Sequence, residues 1–454
     1  MEPTGSRTSP PRESQAATGT ETPAAPCEPT ESAAVDTRSA VVAASEAQDE
    51  TARLIAHDTA HPAESGRPSS DLLLDEPARD RASSSDGHPV RLVGLDVARG
   101  IMLVVSVAVD AWLTMPAWFA HAPWVGVHPI DLVFPTFVTL SGCGLAFAYA
   151  RRVPLGPTAR RVVVLLLAGL AYNAFTQVAA TGRLEWATFH LPGVLQFYAA
   201  LVLVVAVLHL VLRRWWLWPL WTLALALGYT WWLTSFAAGC PTGTLTPQCN
   251  PSGIIDPAVF GVGHIYHQGR FGHDPEGLVA LLGALVAVSG GASIGYILRT
   301  PALSGVRRVG VGLAVLAVFA ATSVATAQVV EPMKRLWTPP FALGVAAGCG
   351  LVLLVLHLLL DSTPRPPGGR RVHDVMLYPL VALGRNSLLV YFGSHLLMLG
   401  LLTWPRGAVS SFADRLAGTA PGVVDPALWL VMLAVIAWTG LASLLHWRRI
   451  YLRP

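Results

Sequence analysis

His121-Ala-Pro-Trp-Val-Gly-Val-His-Pro-Ile-Asp-Leu-Val-Phe-Pro135 joins two apolar runs, residues 96–115 and 131–150. Each run has about 20 residues, enough for a helix to cross a hydrocarbon core of about 30 Å. The connection between them is polar and gathers His121, Trp124, His128 and Asp131. Eleven residues before His121, inside the first run, lies Asp110. A carboxylate there must pair, protonate or face a wet cavity.

The same reading extends outward. Further apolar runs occupy residues 161–180, 193–212, 215–236, 277–298, 308–329, 337–360, 377–403 and 427–446. The fold expected is all-α, a polytopic transmembrane bundle of about ten spans. Residues 53% hydrophobic and 13% charged suit this class.

Charge divides the chain into two parts. Residues 1–90 hold 16 acidic against 7 basic residues in an Ala, Ser, Thr and Pro background without helical or alternating period, so a disordered acidic tail is expected. Residues 91–454 carry a net charge of +12 and form the membrane domain. Their arginines cluster at the ends of apolar runs rather than along one face, which argues against a nucleic-acid partner. No charged region followed directly by an apolar stretch opens the chain, so no cleavable signal peptide is expected and the first span serves as insertion signal.

Orientation follows from the basic residues. With the acidic tail in the cytoplasm, inner connections and the C-terminus hold fifteen Lys/Arg and outer connections six. The positive-inside rule then places both termini in the cytoplasm and the His121–Pro135 connection outside. The long loop 237–276 is also outside, with Cys240 and Cys249, the only cysteines in an outer connection. A disulfide is expected there; two free thiols are the alternative if the topology is inverted.

Several polar residues need partners. Asp96 and Arg99 lie on neighbouring faces of one turn, as a local ion pair or as part of a site. His121 beside a carboxylate makes a general base, although a loop histidine can simply be solvated. Asp131 opens the second span, where capping competes with chemistry. Asp274-Pro-Glu-Gly277 reads as a helix start, with Asp274 as cap and Glu276 in the first turn. The ninth run carries Arg385, Asn386, Tyr391 and His395; Asn386 and His395 fall on opposite faces, whereas Tyr391 and His395 share one. Ser289–Gly295 and Gly344–Gly350 are small-residue stretches that let helices approach closely. His264-Ile-Tyr-His267 lacks the Cys/His framework of a metal centre, and no metal is expected. Lys334 is the only lysine in the chain.

Leu95-Asp-Val-Ala-Arg-Gly100, His121-Ala-Pro-Trp-Val-Gly126 and Asp131-Leu-Val-Phe-Pro135 resemble the N-terminal signature of the heparan-alpha-glucosaminide N-acetyltransferase family and its bacterial relatives, part of a broader transmembrane acyltransferase group. Pro192-Gly-Val-Leu-Gln196, Cys249-Asn250, Gly263-His-Ile-Tyr266, Asp274-Pro-Glu-Gly277, Lys334-Arg-Leu-Trp-Thr338 and Leu383-Gly-Arg-Asn-Ser387 are similar to its later motifs, in family order.

The resemblance implies a multi-pass enzyme of the cell membrane that moves an acetyl group from cytoplasmic acetyl-CoA to an amino sugar or glycan at the outer face. The family's active histidine falls on His121. Its assisting asparagine falls on Asp110; an amide donates where an ionised carboxylate only accepts, so Asp110 would be protonated or would orient His121. Asp96, Arg99, Gln196, Arg385 and Asn386 are the expected cofactor-binding residues. Trp124, Asp131, Lys334 and His395 are expected at the acceptor site or pocket. The partners expected are the acyl donor, the acceptor, the bilayer and a second copy in a homodimer. The alternatives are a proton-coupled multi-span transporter and a family member that has lost catalysis through the change at Asp110.

Overall fold

A computed structural model describes residues 92–149, 152–362, 367–403 and 410–451. Among these residues the chain forms thirteen α-helices joined by short 3₁₀ turns, with only two isolated β-bridges. The acidic segment 1–90 lies outside the described residues.

Every predicted span has a helical counterpart. They are α1 (Val93–Ala111), α2 (Val133–Ala148), α3 (Leu155–Thr181), α4 (Val194–Val211), α5 (Leu217–Ala237), α7 (Leu278–Arg299), α8 (Gly305–Ala327), α9 (Pro339–Leu356), the pair α10 (Pro367–Arg385) and α11 (Ser387–Thr403), and α13 (Pro426–Trp447). The short α6 (Ser252–Phe260) and α12 (Phe412–Ala417) lie in connections. Seven helices are long and apolar enough to cross a membrane. α1 and α5 are not among them. α1 carries Asp96, Arg99 and Asp110, and α5 carries Trp218, Trp221, Trp231 and Trp232 between threonines.

The ninth run differs from the continuous span expected. α10 and α11 meet at Asn386 and bend by 74°. Asn386 is fully buried, and its backbone N–H is shared between the carbonyls of Ala382 and Leu383, so the helical ladder is interrupted at this residue.

α7 is the hub. It packs against α2, α4, α5 and α9, while α8 lies on α9 and α3 on α4. A second group, α10, α11 and α13, gathers around α1, which joins it to α2 and α9. The apolar core follows this plan, with one cluster around α2, α4, α7 and α9 and another where α1 meets α11 and α13.

Small residues make the α2–α7 crossing close. A Cβ on Gly291 would overlap the Thr139 carbonyl, and one on Gly142 would overlap the Val288 carbonyl. The backbones therefore touch, and dispersion replaces a hydrophobic driving force that lipid does not supply. The expected packing role of Ser289–Gly295 thus has a concrete partner in α2.

Helix ends are capped locally. Asp425 accepts from the N–H groups of Ala427 and Leu428, with Pro426 at the first turn of α13. At α7 the cap differs from the one expected. Asp274 accepts the Glu276 N–H within a turn, and α7 begins later, at Leu278, whose N–H is taken by Asp256 at 2.8 Å. Asp256 approaches because Gly277 has no side chain to exclude it.

Gly291→Val should destabilise the bundle by about 1–3 kcal/mol, the usual cost of overpacking. Gly348→Ala, where a Cβ meets open space, should be neutral. Thermal melts of the detergent-solubilised chain compare the two; equal melting temperatures would contradict the close crossing.

Candidate functional site

The connection from α1 to α2 is built around Asp131, whose residue surface is only 1% exposed. Its Oδ2 accepts from the backbone N–H groups of Ala122 at 3.2 Å and His128 at 3.0 Å. Its Oδ1 lies 2.6 Å from His121 Nδ1. Three N–H donors converging on one carboxyl group favour the ionised form, which only accepts. The His121 proton then sits on Nδ1, and Nε2 carries the free lone pair.

Asp131 was expected at the pocket and Asp110 as the partner of His121. The structure gives the pairing to Asp131 and sends Asp110 elsewhere. Ten residues separate His121 from Asp131, and the folded loop closes that interval through a 3₁₀ turn at Pro129–Leu132. Asp110 instead turns toward α11. Its Oδ2 accepts from Ser394 Oγ at 2.8 Å and its Oδ1 lies 3.1 Å from His395 Nδ1. Both its oxygens are therefore engaged away from His121.

The loop between α8 and α9 is strapped to the first. Gly126 N–H donates to the Pro332 carbonyl at 3.0 Å, and Arg335 Nε donates to the Ala122 carbonyl at 3.3 Å. This brings Lys334 close enough for its charge to act on His121 and Asp131. Trp124 anchors the first loop to a third, donating from Nε1 to the Leu245 carbonyl at 2.9 Å and meeting His273 edge-on. That third loop is closed by the Cys240–Cys249 disulfide.

Glu276 completes the group. Neither its carboxylate nor the Lys334 ammonium forms a hydrogen bond or ion pair among the described residues, yet each feels the other's charge. Burial first, then Asp274, pushes the Glu276 carboxyl up to about 7. Burial lowers Lys334, against the pull of Glu276 and Asp131. Asp274 itself is saturated, accepting from His190 Nε2 at 3.0 Å and from the N–H of Tyr266 at 2.9 Å.

His121 keeps 43% of its side-chain surface open. Burial, and after it the Lys334 ammonium, lowers its affinity for a proton below the ordinary histidine value; Asp131 opposes this without reversing it. This favours the neutral imidazole, which is oriented through Nδ1 and has no hydrogen-bond partner at Nε2 among the described residues. This is the arrangement of a general base.

The expected cofactor residues divide between two places. Asp96 faces Arg385 Nε at 3.7 Å rather than Arg99, and Arg385 Nη1 also donates to Tyr451 at 3.2 Å. Asn386 lies beside them at the α10–α11 break. Arg99 reaches across to the Leu140 carbonyl at 3.4 Å. Gln196 is remote from these, at the start of α4, where its Nε2 donates to the Leu191 carbonyl and its Oε1 is buried without a partner. That position adjoins His190 and hence the loop that carries Asp274.

Two residues not singled out for chemistry emerge. Arg161, read as a topology marker, has a buried Nε without a hydrogen-bond partner and lies near Arg99 and Tyr198. Glu276, read as a first-turn acid, faces Lys334. Their sequence signal was only that each is a charge next to an apolar run. His264 donates from its ring to the Phe189 carbonyl, and no cluster of metal-ligating side chains occurs among the described residues.

Residues 91–248 match the family model described as heparan-alpha-glucosaminide N-acetyltransferase, catalytic. The human heparan-alpha-glucosaminide N-acetyltransferase is 27% identical over 389 residues, covering 73% of this chain and 56% of that protein. The mouse protein of the same name is 25% identical over 453 residues, covering 86% of this chain and 65% of that protein. The chain thus spans less than two thirds of the length of these relatives. The matched region contains His121, Asp131, Asp110, Arg99 and Arg161, so the resemblance drawn from the motifs stands on this part of the chain.

The charges around His121 set the sign of two substitutions. Asp131→Asn removes a carboxylate that favours the imidazolium and should lower the His121 pKa further; Lys334→Met removes a cation and should raise it, each by about one unit. NMR titration of a histidine-labelled sample checks both, and shifts of the opposite sign would refute the assigned pairing.

Proposed function

We propose that the chain is a membrane acyltransferase that takes the acetyl group of cytoplasmic acetyl-CoA and delivers it to an amino sugar or glycan at the outer face. The observation that carries this reading is the His121–Asp131 pair, open at Nε2 and set beside Lys334 and Glu276, within the segment that matches a catalytic acetyltransferase domain.

Under this reading about ten spans, counting α1, α5 and the bent α10–α11 pair, cross the membrane of the cell with both termini inside. Residues 1–90 form a cytoplasmic tail and residues 91–454 the transferase domain. A homodimer is the expected assembly.

The inner half of the bundle suits a polyphosphate donor. Arg161 has an unpartnered Nε and Arg99 makes only one long hydrogen bond, so two guanidinium groups are short of acceptors. Guanidinium forks bind phosphate oxygens in pairs. Asp96, Arg385 and Asn386 shape the neighbouring inner end, where α1 is held to the α10–α11 break.

The donor supplies an acyl thioester, already activated toward an amine or hydroxyl. The protein's part is to hold the acceptor and take its proton. His121 Nε2 removes the proton, and Asp131 keeps the ring in the productive tautomer and stabilises the imidazolium that forms. Lys334 keeps His121 unprotonated between turnovers and, with Arg335, is placed to bind an acidic group of the glycan. Glu276 and Trp124 form the facing wall, a carboxylate for an acceptor ammonium and an indole for a sugar ring.

Label transfer from acetyl-CoA added to inside-out vesicles into a glucosamine acceptor enclosed in them tests the reading. His121→Ala should reduce transfer by about 10²–10⁴-fold, the usual contribution of an acid–base group. Transfer that persists at the wild-type rate in this variant would remove His121 from the chemistry.

A further inference from the structure

Asp110, Ser394 and His395 form a second acid–base constellation, and the base at His121 does not account for it. His395 resembles His121 in construction: Nδ1 faces a carboxylate, at 3.1 Å, and Nε2 has no partner among the described residues. Asp110 is fixed by a second donor, Ser394 Oγ at 2.8 Å, and Ser394 is itself held by donating to the Tyr391 carbonyl. The carboxylate cannot rotate away without losing both donors.

The location is informative. His395 sits where α1 and α11 meet, with 33% of its side-chain surface accessible. Its ring lies 6.1 Å from that of Tyr172 on α3. Tyr172 and Tyr391 both feel the charges of Asp110 and Glu276. Tyr391 also feels Tyr198, whose hydroxyl is 3.2 Å from Ser141 Oγ and which lies near Arg99 and Arg161. Along α1 alone Arg99 and Asp110 are eleven residues apart, about 16 Å of helix, a distance that an extended pantetheine arm can bridge.

We propose that His395, positioned by Asp110 and Ser394, is the general acid of the transfer and protonates the departing thiolate of the acyl thioester. The proposal rests on the acyltransferase reading above. The acceptor nitrogen forms a bond to the carbonyl carbon as His121 takes its proton. The carbon–sulfur bond breaks, and the electron pair left on sulfur takes the proton from the His395 imidazolium. His121 then releases its proton to the outer solution, and His395 regains one from water. The net change for a neutral amine is one amide and one free thiol.

The groups that face His395 fit this role. Asp110 from α1 stabilises the imidazolium, and Tyr172 from α3 sets its ring 6.1 Å from that of His395. No cation faces it among the described residues.

The full-length wild type, His395→Gln and Asp110→Asn, each in nanodiscs, are compared for CoA binding, for the ultraviolet thiolate absorbance of bound CoA across pH, and for acetyl transfer. All three should bind CoA equally, because its phosphates are held elsewhere. Wild type should show bound thiolate at lower pH than free CoA, since an adjacent imidazolium stabilises it. His395→Gln should lose that effect and about 10²-fold or more in kcat, with donor KM changed by less than about threefold. Asp110→Asn should fall between. A His395→Gln protein that binds CoA and titrates its thiol as wild type does would overturn the proposal. Failure of wild type itself to bind CoA would instead overturn the acyltransferase reading beneath it. If His395→Gln does not fold, the isosteric Asp110→Asn carries the same thiolate test.

Discussion

A charge withdrawn from water has to be met by donors, and Asp131 meets this requirement with three. Two are backbone N–H groups from its own connection and the third is the His121 ring. The geometry of residues 120–131 follows from that requirement. His121 is held because the carboxylate would otherwise be buried and short of donors. Its tautomer and the direction of its free nitrogen come with the same hydrogen bond. The loop bearing Lys334 docks on this connection through Pro332 and Arg335, so the group of loops is assembled around one satisfied carboxylate.

The interior obeys the corresponding rule for lipid. α7 is almost wholly enclosed and its small residues let α2 lie against it backbone to backbone. That packing leaves the polar side chains of α1, α3 and α11 to face one another rather than lipid. Asp110, Tyr172, Ser394 and His395 are tolerable in the bundle because they meet one another there. The bend at Asn386 contributes, since it redirects α11 so that Ser394 and His395 reach Asp110.

Much of this was legible in residue order. The apolar runs located the helices to within a few residues, as at 277–298 against Leu278–Arg299. His121 stood out as a histidine at the boundary of two spans, and Lys334 as the only lysine. The pairing of carboxylates with histidines was not legible. Asp110 and Asp131 lie eleven and ten residues from His121, on either side, and intervals so nearly equal do not discriminate. Nor could residue order reveal that the Asp274 side chain serves a turn while Asp256 starts α7, because that exchange depends on the fold of the loop between them.

The sequence by itself determined which segments are helical and apolar, because span length and hydropathy are local properties of the chain. It also determined which ionisable groups would need partners, since the cost of an intramembrane carboxylate does not depend on the fold. Tertiary structure alone decided who the partners are. Asp110 meets His395 across 285 residues, and Arg335 meets the His121 connection across 213. Contacts at such separations arise from how helices cross and loops dock, and no periodicity in the sequence encodes them.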